Sequence, residues 1–190
     1  MQKQVLTALK RYPVFTVRDI ANVLDKKRSY AYLVAYRLKK AGVIHEIEKG
    51  KYTLEEDPFI IASWIVWPSY ISGWAALNYH KLTEQLPFTI QVITTRKRKN
   101  KLISYGGTRI EFIKIKNKAF CGYQRVMHRD REIFIAEKEK AIVDALAAKK
   151  LSFPEAAEII RNNKRKLNKG KLLSYAGIWS GLAKKMRKIL

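Results

Sequence analysis

A chain of 190 residues with 47% apolar side chains has the length and composition of one large or two small folded domains, which excludes a disordered chain. Its 39 Lys and Arg against 16 Asp and Glu leave a net charge of +23, so polyanions are the expected partners, DNA or RNA first. A single cysteine, Cys121, excludes an internal disulfide and suits a reducing cytosol.

The charge is spread along the chain. Residues 1–56 carry 12 basic and 6 acidic side chains, residues 57–150 carry 17 and 8, and residues 151–190 carry 10 and 2. The opening MQKQVLTALKRYP has no apolar run long enough for a signal peptide, so a cytoplasmic location is expected. Gln2 to Arg11 places Val5, Leu6 and Leu9 on one face and stops before Pro13, the pattern of a first helix. Thr16-Val17-Arg18-Asp19 has capping-box spacing, and Val17, Ile20, Ala21 and Leu24 follow as the core stripe of a second helix. Asp25-Lys26-Lys27 is a short polar turn.

Arg28 to Ala41 is predicted to be the third helix. Ala31, Val34, Ala35, Leu38 and Ala41 line its buried face, while Ser29, Tyr32, Leu33, Tyr36 and Lys40 fall opposite, flanked by Arg28 and Lys39. Two tyrosines and a leucine on a water-facing side, among cations, suit a nucleic-acid surface. After Ala41-Gly42, the runs Val43 to Ile47 and Lys51 to Leu54 around Glu48-Lys49-Gly50 read as a hairpin. Three helices and a two-stranded wing, with RLKKAGVIHEIEKGKYTL at the junction, resemble a winged helix-turn-helix domain. That resemblance implies a third helix lying in the DNA major groove. It makes Arg28, Ser29, Tyr32, Leu33 and Tyr36 candidates for base or sugar contact, and Lys26, Lys27, Lys39, Lys40, Lys49 and Lys51 candidates for phosphate contact. The bland alternative is that the tyrosines pack on another domain or protein.

Glu55-Glu56-Asp57-Pro58 marks the expected boundary between a DNA-binding domain at 1–56 and a second domain at 57–190. Pro58 to Tyr79 carries no charge and is long enough to span a bilayer, but Pro68-Ser69 and Ser72-Gly73 interrupt it and Asn78 lies inside it. Two short buried helices, Phe59 to Trp67 and Ser72 to Leu82 capped by Ser72, are expected instead of a membrane span, with Trp64, Trp67 and Trp74 in a core seam. Phe88 to Thr94 alternates as a strand. The loop Thr95 to Lys101 adds Arg96, Lys97, Arg98, Lys99 and Lys101 to the candidate phosphate contacts. Leu102 to Tyr105 and Thr108 to Lys116 form a hairpin around Gly106-Gly107, and a second strand pair falls near Tyr123 to Met127 and Glu132 to Ile135. Ala136 to Ala148 is a helix with Ala141, Ile142, Ala145, Leu146 and Ala148 inward. Ser152 to Glu155 is another capping box, opening a helix to about Asn162. Leu172 to Leu190 is a last helical segment whose Lys184, Lys185, Arg187 and Lys188 suit its dipole as well as they suit a polyanion. The whole is predicted to be α+β: a winged helix-turn-helix, then a mixed α/β domain with an antiparallel sheet and a helical C-terminus.

Catalytic and metal patterns are weak. Glu111 and Lys114 are three apart, which puts them on opposite strand faces, where a nuclease strand sets its acid and lysine two apart. Cys121, His45, His80 and His128 lack the paired spacing of a zinc site. A non-enzymatic protein without metal or cofactor is therefore expected, with an RNA-binding or nuclease-like protein as the alternative.

The order of YISGWAALNYHKLTEQLPFTIQVITTRKRK, GTRIEFIKI and AEKEKAIVDAL is similar to that of the AbiEi antitoxin family, over about Phe15 to Tyr175. These are transcriptional regulators of type IV toxin-antitoxin modules. The resemblance implies a repressor that binds inverted repeats in double-stranded DNA at its own promoter. It also implies a C-terminal domain that counters a nucleotidyltransferase toxin without a stable complex.

Overall fold

The computed structural model describes residues 2–190, side chains from Gln4 onward, so Met1 of the stretch read for a leader lies outside it. It is an α+β protein built on two separate apolar cores.

The first core is made by α1 (Gln2–Leu9), α2 (Val17–Leu24) and α3 (Arg28–Lys40), closed by a three-stranded sheet of β1 (Phe15–Thr16), β2 (His45–Glu48) and β3 (Lys51–Thr53). The sheet order is β1-β3-β2, both pairs antiparallel. The capping box forms: the Asp19 amide donates to Thr16 Oγ1 at 3.4 Å, and the Thr16 amide donates to Asp19 Oδ2 at 2.7 Å. Leu9, Phe15, Ile20, Ala31, Ala35 and Ile44 are almost fully buried in this core. The two-residue strand β1 was not expected, because it is too short to show a pattern; it pairs Phe15 with Tyr52 and ties the chain before α2 to the hairpin.

The second core surrounds a six-stranded sheet of order β6-β7-β5-β4-β9-β8. Its strands are β4 (Ser69–Ser72), β5 (Thr89–Thr94), β6 (Leu102–Tyr105), β7 (Thr108–Lys114), β8 (Tyr123–His128) and β9 (Arg131–Ala136). The sheet is mixed rather than antiparallel, because β5 runs parallel to β7 and β4 parallel to β9. Hairpins at β6–β7 and β8–β9 account for the local pairings that sequence shows, and Gly106 and Gly107 supply the positive φ of the first turn. The two parallel pairings join strands distant in sequence, which local patterning does not reveal.

Helices α4 (Pro58–Trp64) and α5 (Gly73–Tyr79) are shorter than expected because β4 lies between them. All four β4 residues are buried, so SYIS shows none of the alternation of a half-exposed strand. Ser72 stands at the N-cap of α5 as expected but makes no side-chain cap bond, because its hydroxyl donates to Asp144 Oδ2 at 2.9 Å. Helices α6 (Lys138–Ala147) and α7 (Phe153–Asn162) follow, the latter opened by the Ser152–Glu155 capping box. The last segment is two helices, α8 (Lys169–Gly177) and α9 (Leu182–Arg187), broken near Gly181 at φ 73°. No helix among the described residues is long and apolar enough to cross a membrane.

The cores touch through the β2–β3 hairpin. Ile47 belongs to the second core although it lies on β2. Arg131 pairs with Glu55 at 2.6 Å and donates to the Lys10 carbonyl, the Tyr105 hydroxyl donates to the Glu55 carbonyl at 2.9 Å, and Asp57 holds His128 and Arg129.

Candidate nucleic-acid interface

Helix α3 is held by one face and open on the other. Ala31, Ala35 and Leu38 sit on the first core, the two alanines small enough to let α2 pack closely. Opposite them, Arg28, Ser29, Tyr32, Leu33, Tyr36, Arg37 and Lys40 are exposed. Tyr32 is 51%, Leu33 43% and Tyr36 62% accessible. These side chains do not pack on the second domain, which removes the bland reading for an intramolecular partner. On this face the Arg28 guanidinium lies 5.7 Å from the Tyr32 ring centroid.

Lys26, Lys27 and Arg28 crowd the start of α3, where backbone N–H groups already present positive charge, and no acidic residue offsets them in the first turn. Cations there disfavour an isolated helix and suit a site that receives an anion. At the other end, Arg37, Lys39 and Lys40 complement the dipole, so their position has a purely structural explanation too.

The remaining candidate contacts divide into free and occupied cations. Lys26, Lys27, Lys40 and Lys49 are exposed, Lys49 at the hairpin tip beside Gly50 at φ 78°. Lys39 pairs with Glu46 and so braces α3 against β2, with half its side chain still exposed. Lys51 turns inward: it pairs with Glu48 at 2.9 Å and donates to the Ile65 carbonyl at 2.6 Å. Arg98 is also taken up internally, pairing with Glu48 at 2.5 Å with its guanidinium 3.9 Å from the Phe112 ring centroid. Lys51 and Arg98 are thus struts between the hairpin and the second domain, a correction to the expectation that they meet phosphate.

The loop that carries Arg98 does not present one outward row of charge. Arg96, Lys97 and Lys101 border a cleft of about 500 Å³ between the loop, β7 and the end of α6, while Lys99 points elsewhere. Lys114 and Lys150 also border it, and nothing local in the sequence linked them to the loop. Glu111 lies in the same cleft, held by Lys150 at 2.6 Å. The strand offset separates Glu111 from Lys114 at the backbone, but Lys114 ends β7 and its side chain borders the same space.

Of the tryptophans, Trp64 donates to the Glu132 carbonyl and Trp74 to the Lys150 carbonyl, both structural uses. Trp67 departs from the expected seam: it is 60% exposed, stacked beside Trp64 and edge-on to Phe134. Among the described residues, no three His, Cys, Asp or Glu side chains gather as metal ligands. A feature the sequence did not mark is the buried pair of Lys140 and Asp144, whose carboxylate also accepts from Tyr70 at 3.0 Å and Ser72 at 2.9 Å. Burial pushes the Asp144 carboxyl upward, against the pull of Lys140 and the two hydroxyls.

No protein-family model matches the chain, and no curated protein matches it significantly.

Proposed function

We propose that the protein is a non-enzymatic, sequence-specific regulator of transcription that binds double-stranded DNA through a winged helix-turn-helix at residues 1–56. The observation that carries this reading is the outward face of α3, where Tyr32, Leu33 and Tyr36 stand in solvent between cations. Helix α3 lies in the major groove, and Arg28, Ser29, Tyr32, Leu33 and Tyr36 meet base edges or sugars. Lys26, Lys27, Lys40, Lys49 and Lys99 neutralise phosphates, joined by the exposed part of Lys39. The similarity to AbiEi antitoxins adds a repressor that acts on inverted repeats at its own promoter, in the cytoplasm. It also adds a link to a nucleotidyltransferase toxin that needs no stable complex.

Selection from random duplexes tests the DNA reading. A preferred sequence should emerge, with affinity falling steeply in salt, by about 5 in log Kd per log unit for six phosphate contacts. Tyr32→Ala with Tyr36→Ala should erase the preference, whereas Lys27→Ala with Lys40→Ala should weaken all duplexes alike. Equal loss on preferred and random duplexes from the tyrosine changes would remove α3 as the reader. Tighter binding to structured RNA than to duplex DNA at equal salt would move the protein to the RNA-binding class. The antitoxin reading stands or falls on whether the neighbouring reading frame encodes a toxin that this chain silences on co-expression.

A further inference from the structure

The cleft beside β7 is a partly open concavity between the loop, β7 and the end of α6. Its volume of about 500 Å³ lies within the span of roughly 300–1,000 Å³ that small-ligand sites occupy. Six cations, Arg96, Lys97, Arg98, Lys101, Lys114 and Lys150, border it against one carboxylate, Glu111. Among the described residues, none forms an ion pair or hydrogen bond with the side chains of Lys97, Lys101 and Lys114. Three unpaired ammonium groups converging on one concavity repel one another, and a multiply charged anion relieves that repulsion. Ile113 and Ala148 give the cleft an apolar floor, and Phe112 borders it from under the Arg98 guanidinium, 3.9 Å from the ring centroid. Glu111, already fixed by Lys150, is an acceptor placed to take a sugar hydroxyl. Cations, an apolar floor and one acceptor in a single cavity match the phosphate, base and ribose of a nucleotide.

We propose that this cleft binds a nucleoside polyphosphate, and that its occupancy is coupled to the β2–β3 hairpin through Arg98. The coupling follows from one guanidinium having two claimants. Arg98 borders the cleft and is paired with Glu48 at the end of β2. A phosphate in the cleft competes with Glu48 for the same donors, so ligand and ion pair weaken each other reciprocally. Regulation of DNA affinity through the hairpin rests on the DNA reading above, but nucleotide binding is measured without DNA, so the two can fail separately.

Isothermal titration of the full chain with ATP at fixed ionic strength tests the site, with pyrophosphate as the probe that lacks base and ribose. One saturable site per chain is expected, with ATP binding more tightly than pyrophosphate. Lys97→Ala with Lys114→Ala should weaken ATP at least tenfold. Lys184→Ala with Lys188→Ala, an equal charge loss on exposed α9 positions, should change it less than twofold. Absence of saturable one-to-one binding, or equal weakening by the two pairs, overturns the site. Pyrophosphate binding as tightly as ATP overturns the nucleotide assignment. Glu48→Gln should tighten ATP several-fold in the natural background and leave it unchanged when Arg98 is Ala. The same gain in both backgrounds overturns the coupling.

Discussion

At the scale of single residues, the most consequential interaction away from the exposed face of α3 is the one hidden in α6. Lys140 and Asp144 are both essentially inaccessible, and Tyr70 and Ser72 complete the hydrogen bonding of the carboxylate. Removing one partner strands the other charge. Asp144→Ala should therefore cost about 3–5 kcal/mol, while Lys140→Met combined with Asp144→Leu should cost far less, as chemical denaturation would measure. A cost for the double change as large as for the single one would mean that the network contributes net stability as a pair. The i,i+4 spacing of Lys140 and Asp144 is visible in sequence, but it is the spacing of an ordinary surface pair. Burial comes from α5, α8 and β4 closing over the helix, and no local pattern announces that. Tyr32 and Tyr36 were legible because a tyrosine-bearing polar face breaks the usual rule for solvent-facing positions. Lys114 and Lys150 were not, because their common site is assembled from the end of a strand and the residues after a helix.

At the scale of elements, the β2–β3 hairpin depends on two carboxylates. Lys39, by its hydrogen bond, holds Glu46 below the ordinary value of 4.5. Burial pushes Glu48 upward, but Lys51 and Arg98 outweigh it and hold that carboxyl low as well. Both groups therefore ionise more readily in the folded chain than in the unfolded one. Their stabilisation is complete above the unfolded value of 4.5 and is lost as pH falls through the lowered folded values. Amide chemical shifts of residues 45–53 should accordingly change on acidification before those of residues 89–94, a strand without carboxylates. Simultaneous change in both segments would show that the hairpin is not separately acid-labile. The hairpin itself was readable from Gly50 and its flanking apolar residues, as were the helices begun by Thr16 and Ser152. Strand β4 was not, because buried contacts on both faces erase alternation and Pro68 reads as a helix break.

At the scale of the whole molecule, the two cores are joined by specific contacts rather than by a slack tether. Arg98 with Glu48, Arg131 with Glu55, and the Tyr105 hydroxyl on the Glu55 carbonyl all cross the junction. Calorimetric unfolding should show one transition for the full chain. Arg98→Ala combined with Arg131→Ala should broaden it or split it into two, because the remaining contacts then leave each core to melt on its own. Two transitions in the unaltered chain would mean that the junction does not couple them. The acidic step Glu55-Glu56-Asp57 marks in the sequence where one core gives way to the next. What it does not reveal is that Glu55 and Asp57 are themselves the clasp, each held by arginines more than 70 residues away.

Ile47 has a consequence for anyone who would move this module. It sits on a strand of the first core and is 8% accessible because the second core receives it. A chimera that grafts residues 1–56 onto a foreign body, without a matching socket, leaves that isoleucine bare beside the edge of a short strand. Such a graft becomes a sticky fragment that recruits copies of itself. The transplantable unit is therefore the N-terminal core together with the strands that shelter Ile47, not that core alone.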